Sequence, residues 1–294
     1  MQLPLLAKKQ LTLFIKREDL LHPFVSGNKF RKLKYNLITA STLGHDTLLT
    51  FGGAYSNHIA ATAYAATEHG LKSIGIIRGA ELQSKWQDNP TLKFASDHGM
   101  KFKFISREAY RAKGEAFFLK NLEGEFGRFF MLPEGGANLA AVRGCEEILS
   151  KEDQGFDLIC SSVGTGATLA GISNASMPDQ RILGFPALKG DYLKEDIRKF
   201  AQKENWDLQS DYHFGGYAKI EARLIQFLND FKESTGIPLD PIYTGKMVYG
   251  ILDLAKQDFF SPHTSILAIH TGGLQGIAGM NQVLRNKNLP LIDL

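Results

Sequence analysis

The sequence predicts an α/β protein of parallel strands and crossover helices. Short apolar runs alternate with longer helical patterns along all 294 residues. Three of those runs end in glycine-rich turns that lead straight into helices, at 47–57 (TLLTF-GGAYSN), 157–168 (DLICSS-VGTGAT) and 265–276 (SILAIH-TGGLQG). The length exceeds what one small core needs, so two domains or one large α/β unit are expected.

The elements follow in chain order. Strands are expected at LTLFIKR (11–17), DTLLTF (46–51), KSIGIIR (72–78), KFKFIS (101–106), RFFML (128–132), FDLICSS (156–162), RILGFPAL (181–188) and TSILAIH (264–270). A helix starts at the Ser-Gly-Asn of FVSGNKFRKLKY (24–35), with Phe30, Leu33 and Leu37 as its buried stripe and Lys29 flanking it. Further helical patterns cover 56–69, 89–98, 137–151, 166–176, 190–204, 219–235, 245–257 and 273–286. No repeat or low-complexity tract interrupts them.

Composition narrows the function. With 34 basic and 31 acidic residues the chain carries no electrostatic footprint for nucleic acid. Cys145 and Cys160 sit in apolar contexts without metal spacing and read as buried free thiols, which fits a reducing compartment. No apolar run reaches a membrane span and no signal-peptide pattern opens the sequence, so the cytoplasm is the expected location.

Ligands of open α/β sheets bind beyond the carboxyl ends of strands, which directs attention to the three glycine turns. The turn Gly164-Thr165-Gly166-Ala167-Thr168 offers successive N–H groups, two hydroxyls and a helix start, a combination suited to a phosphate. It lacks the G-K-[ST] ending of a P-loop, and Leu169 replaces the third glycine of a dinucleotide fingerprint. In GGAYSNH, Ser56 or Asn57 is a natural N-cap, and the helix start at Ser56, Asn57 and His58 could take a carboxylate. The structural alternatives are an unliganded turn and a plain cap.

The basic cluster Lys29, Arg31, Lys32 and Lys34 raises a different question, because the first helical turn is where positive charge is least favoured. A lysine placed there beside other cations should have a lowered pKa and a free amine near neutral pH. A phosphate cradle, a carboxylate cradle and such a lysine together suggest pyridoxal 5′-phosphate, whose aldehyde forms a Schiff base with an amine.

The chain also resembles the 1-aminocyclopropane-1-carboxylate deaminase / D-cysteine desulfhydrase family, pyridoxal-phosphate enzymes of tryptophan-synthase-β-like fold (fold type II). The resemblance runs through KREDL (16–20), SGNKFRKLKY (26–35), GGAYSNH (52–58), LPEGGAN (132–138), SSVGTGATLAG (161–171), FGGYAK (214–219), DPIYTGK (240–246) and HTGG (270–273). It implies two three-layer α/β domains with the cofactor cleft between them. The large cofactor-binding domain would comprise 1–36 and 145–294, and the small inserted domain 37–144. Lys29 would be the Schiff-base lysine and the base that moves the α-proton. Asn57 would contact the ring 3′-oxygen, residues 164–168 would hold the phosphate, and Thr271 would lie near the pyridine nitrogen. Ser56 would bind the substrate carboxylate with the backbone groups of Asn57 and His58, and could assist catalysis. Tyr217 and Tyr243 would line the substrate side.

Thr244 and Thr271 match the desulfhydrase branch rather than the deaminase branch, which carries Glu and an apolar residue there. Tyr55, Ala60 and Ala167 depart from the family pattern. The resemblance thus implies α,β-elimination from D-cysteine or a related D-amino acid, without a metal, by a homodimer acting on a small amino-acid substrate. The rivals are the cyclopropane deaminase and a degenerate cofactor-binding protein. The intact Lys29, Ser56, Asn57 and Tyr243 argue against the latter.

Overall fold

The computed structural model describes residues 3–190 and 192–293. Among them the strands are β1 (Thr12–Lys16), β2 (Thr47–Gly52), β3 (Lys72–Arg78), β4 (Met100–Ile105), β5 (Phe130–Leu132), β6 (Leu158–Val163), β7 (Arg181–Pro186), β8 (Trp206–Leu208) and β9 (Ser265–Ile269). The helices are α1 (Pro4–Lys8), α2 (Asn28–Thr42), α3 (Asn57–Glu68), α4 (Pro90–Asp97), α5 (Arg107–Arg111), α6 (Ala116–Phe126), α7 (Leu139–Glu146), α8 (Ala167–Ala175), α9 (Leu193–Arg198), α10 (Ala222–Thr235), α11 (Thr244–Lys256) and α12 (Gly276–Asn286). The strands form two sheets, in the orders β1-β9-β6-β7-β8 and β4-β3-β2-β5. Every pairing is parallel. Parallel pairing requires long crossovers, which cover both sheet faces with helices and make the central strands apolar throughout.

Side-chain alternation sorts the core. In β6 and β9, Leu158, Cys160, Ile266 and Ala268 join the cluster that includes Leu228, Met247 and Ile251 of α10 and α11. Ile159, Val163, Leu267 and Ile269 join the opposite one, with Leu169 and Ile172 of α8. In the four-stranded sheet, Leu48 packs with Leu33, Leu37 and Ala40 of α2 and Ala61, Ala65 and Ala66 of α3. Leu49 and Phe51 face Leu122 of α6 on the other side. Each sheet is thus the middle of three layers, as expected. We propose the division 1–36 plus 145–294 against 37–144, which keeps each sheet in one unit. Its boundaries fall inside α2 and α7.

The eight expected strands are present: β3 has its expected bounds, β1, β5, β7 and β9 are shorter, and β2, β4 and β6 are shifted by a residue or two. The three-residue edge strand β8 and helices α1, α5 and α6 lie outside the expected elements. Two helices are shorter than expected for local reasons. The pattern at 190–204 helps form only α9, because the Asn174 side chain takes the Gln202 N–H (2.7 Å) and donates to the Phe200 carbonyl (3.2 Å). The pattern at 137–151 breaks after Glu146, and Ser150 with Asp153 forms a capping box that starts a separate turn. Phe30 is a correction as well. It is 36 % exposed, whereas Leu33 and Leu37 are buried. The core-facing stripe of α2 continues to Ala40, and Phe30 instead stacks on His22 with centroids 6.3 Å apart.

Both cysteines are free and buried. No helix among the described residues is long and apolar enough to cross a membrane.

Candidate active site

A cavity of about 690 Å³ opens at the carboxyl ends of the strands, between the two sheets. Lys29, Ser56, Asn57, His58, Gly164, Thr165, Gly166, Thr168, Tyr217, Tyr243 and Thr271 all line it. Of the candidate site residues Ala167 does not, nor do Thr244 and Ala60, the latter being fully buried in α3. Ala167 is fully buried in the first turn of α8, where only its backbone can serve a ligand. Thr244 lies behind the wall, its hydroxyl donating to Asp240 Oδ1 at 3.0 Å.

The basic cluster at the start of α2 separates by helix face. Arg31 pairs with Glu18 (Nε–Oε2 2.8 Å) and Lys34 with Glu147 (2.7 Å), so both are neutralised outside the cavity. Lys29 and Lys32, three residues apart, point the other way. The Lys29 amine is pulled down to about 7, first by burial and then by the charge of Lys32. The expected neighbour effect therefore comes from Lys32, while Arg31 takes no part in it.

Backbone packing fixes where Lys29 emerges. Gly27 has φ +59°, and a Cβ there would lie 2.0 Å from the Thr271 carbonyl oxygen. Only glycine lets the Ser-Gly-Asn turn press against the loop after β9, where Asn28 N–H donates to that carbonyl at 3.2 Å.

On the facing side, Ser56 caps α3 and accepts from the Ile59 N–H at 3.3 Å. The first-turn N–H groups of Asn57 and His58 have no intrahelical acceptor and open toward the cavity. The His58 ring is turned into the protein. Thr50 donates to the Leu132 carbonyl (3.0 Å) and so receives the His58 Nε2–H (2.9 Å). Burial, then Lys29 and Lys32, hold the His58 pKa well below its ordinary value, so the ring is neutral. What His58 can offer a carboxylate is its N–H rather than a charged side chain. Asn57 accepts from Gln275 Nε2 at 3.3 Å, which ties α3 to the loop before α12.

The glycine turn before α8 lies beside Lys32. Lys32 is 3 % exposed, and its Nζ donates to the Gly135 carbonyl (3.0 Å) and approaches Thr165 Oγ1 (3.4 Å). Thr168 Oγ1 accepts from Asn28 Nδ2 at 2.9 Å. Among the described residues no carboxylate lies within ion-pair distance of Lys29 or Lys32. Two buried amines and a helix N-terminus without a counter-charge fit a bound anion. The residues present therefore suit a phosphate-bearing cofactor.

The wall beyond Lys29 is made by Tyr217 and Tyr243, whose rings meet edge-on with centroids 6.3 Å apart. Asp240 holds Tyr243 in place by accepting its N–H at 3.0 Å. Burial pushes the Tyr243 phenol well above its ordinary pKa, so it stays protonated. Thr271 shares a hydrogen bond with Ser162 (3.2 Å).

Ser162 and Asn28 carry no mark in the sequence that sets them apart, and Lys32 reads there only as a charge neighbouring Lys29. The i+3 spacing from Lys29 was the available signal for Lys32. Arg78 was missed too. It ends β3, lies over the Tyr110 ring at 5.5 Å and lines the cavity near Gly53.

A two-sheet parallel α/β molecule with a lysine of lowered pKa and a helix N-terminus facing one cavity between its sheets has the fold of a type II cofactor-dependent enzyme. The chain belongs to the pyridoxal-phosphate dependent enzyme family, whose model matches residues 1–272. It is 32% identical over 291 residues to a Pyrococcus abyssi protein provisionally named 1-aminocyclopropane-1-carboxylate deaminase, covering 90% of this chain and 85% of that one. It is 31% identical to the bifunctional mitochondrial D-cysteine desulfhydrase/1-aminocyclopropane-1-carboxylate deaminase of Arabidopsis thaliana, covering 90% of this chain and 73% of that one. A solved 1-aminocyclopropane-1-carboxylate deaminase homologue superposes with a TM-score of 0.82 at 29% identity, covering 96% of this chain and 90% of the other.

Proposed function

We propose that the enzyme catalyses α,β-elimination from D-cysteine or a closely related D-amino acid, giving pyruvate, ammonia and sulfide with uptake of one water. When bound, the cofactor supplies an aldehyde that condenses with amines and a ring that accepts the electrons left by the departing α-proton. The protein supplies the rest. Lys29 carries the cofactor and, as a free amine near neutral pH, takes the α-proton. Ser56 and the N–H groups of Asn57 and His58 hold the substrate carboxylate. Asn57, Thr271, Lys32 and residues 164–168 hold the cofactor. Tyr243, a protonated phenol, donates a hydrogen bond to the leaving sulfur, and Tyr217 closes the wall beside it.

The observation that carries this reading is the hydroxyl pair Thr271–Ser162 on the cavity wall. If this pair faces the ring nitrogen of the bound cofactor, as the family resemblance implies for Thr271, its neutral hydroxyls would supply no charged partner there and the electron sink would be moderate. Asp240, which could have supplied a carboxylate, is occupied by the N–H groups of Tyr243 and Thr244 (3.0 and 2.7 Å) and by the Thr244 hydroxyl. Loss of an ordinary α-proton and a good leaving group needs less help than opening a cyclopropane that lacks that proton.

The test compares D-cysteine, L-cysteine and 1-aminocyclopropane-1-carboxylate under identical conditions, following pyruvate and sulfide in the first two and ammonia in all three. D-cysteine is expected to react best, the L-isomer more slowly and the cyclopropane least. Turnover of the cyclopropane with none of D-cysteine would restore the deaminase reading. We also propose a cytoplasmic homodimer, in keeping with the two free buried thiols and with exposed Phe24 ahead of α2 and exposed Phe30 and Ile38 along it. Sedimentation at twice the monomer mass is the expected result.

A further inference from the structure

Lys246 has no part in the reaction above, yet the residue is only 2 % exposed. It stands in the first turn of α11, where the helix dipole opposes a positive charge. Burial pulls its amine down to about 8, with Asp240 and Glu221 pulling the other way. A buried charged group in such a place needs a structural return for its desolvation. Lys246 Nζ donates to the His213 carbonyl at 2.8 Å and to the Gly216 carbonyl at 2.9 Å.

These two carbonyls belong to the loop that brings Tyr217 into the cavity. The loop backbone is unusual. Phe214, Gly215, Gly216 and Ala218 all have positive φ (52°, 84°, 116° and 55°). Two of them carry a Cβ, for which this region is disfavoured. A segment with this many left-handed residues persists only where its surroundings over-determine it. Lys246 lies three residues after Tyr243 on the same helix start. One helical turn therefore presents Tyr243 to the cavity and, through the ammonium, grips the loop that presents Tyr217.

We propose that Lys246 is a positioning residue that sets Tyr217 against Tyr243 by clamping the 213–216 carbonyls. The inference rests on the reading of these two tyrosines as the substrate-facing wall. Lys246 touches neither substrate nor cofactor, so its effect must pass through Tyr217.

Lys246→Met keeps much of the apolar stem and removes the donors. Amide hydrogen exchange over 213–218 should accelerate by about tenfold or more, while the later turns of α11 hold their protection. Cofactor binding, read from visible absorbance, should be unchanged. With D-cysteine, kcat should fall about tenfold in the otherwise native enzyme and less than about twofold in a Tyr217→Ala background, because the two changes act on one feature. Equal losses in both backgrounds, or loss of cofactor binding, would overturn the proposal.

Should Lys246→Met fail to fold, the native enzyme still decides. The amides of 214–218 should then exchange at rates close to those of α11, and exchange as an open loop sinks the idea. Should D-cysteine prove not to be a substrate, the functional reading fails by itself, and the exchange measurements alone judge Lys246.

Discussion

Lys29→Ala is expected to lower kcat by at least about 10³-fold, because one substitution removes both the group that carries the cofactor and the base that moves the proton. No neighbouring amine is placed to replace it. Lys32 is tied to the Gly135 carbonyl and Thr165, Arg31 to Glu18 and Lys34 to Glu147. Borohydride treatment of the native protein should fix the cofactor to the peptide containing Lys29, and Lys29→Ala should leave no lysine labelled. Labelling of another lysine would place the site elsewhere.

The same residue predicts a pH dependence. Its amine is depressed to about 7 from an ordinary 10.5, with burial as the larger cause and Lys32 as the second. Above pH 7 the free amine predominates, so attachment of added cofactor to the apoprotein should quicken through that value and then level off. Between the folded value near 7 and the unfolded 10.5 the unfolded chain binds more protons, so Lys29 makes apoprotein stability rise with pH across that window. Chemical denaturation of apoprotein at several pH values should show this rise, and Lys29→Ala should reduce it.

Much of this site was legible in the sequence because its demands fall on the backbone and on residue types. A turn that must approach Thr271 within van der Waals reach needs Gly27, and a helix N-terminus open to an anion needs small residues at 164–168. Such requirements leave marks in composition and order. The strands were legible for a related reason, since parallel strands covered on both faces are apolar along their length. What stayed hidden depends on direction in space. The wheel that placed Phe30 in the core used the period of α2 alone, while the neighbours that decide burial come from α3 and β2. Lys32 and Arg31 are chemically alike in the sequence, yet Glu18 waits for one and an anion cradle for the other. The service of Asp240 to Tyr243 and Thr244, like the grip of Lys246 on a distant loop, arises only when the chain closes. Strand β8 is three residues at a sheet edge, too short for any period to show.

Lys32→Met is expected to weaken cofactor binding by about 10- to 100-fold, the range for losing one charge-assisted contact. It tests the phosphate cradle more cleanly than a carboxylate in the loop would. At Gly166 a Cβ would meet Ile197 Cγ1 at 2.8 Å with φ at +84°, so Gly166→Asp would strain the fold as well as repel an anion. Lys32 can be changed without adding bulk. In the apoprotein its loss has opposing effects. The Gly135 carbonyl loses a donor, while a buried cation without a carboxylate partner disappears. The thermal midpoint of the apoprotein should therefore move little, whereas the added stability conferred by cofactor should shrink. A second signature separates loss of charge from general damage. Lys32 helps hold the Lys29 amine down, so its removal should shift the pH midpoint of cofactor attachment upward. Weaker binding together with a higher midpoint is the combination that places the phosphate beside Lys32. Native affinity in Lys32→Met would mean that the anion cradle at 164–168 serves some other group.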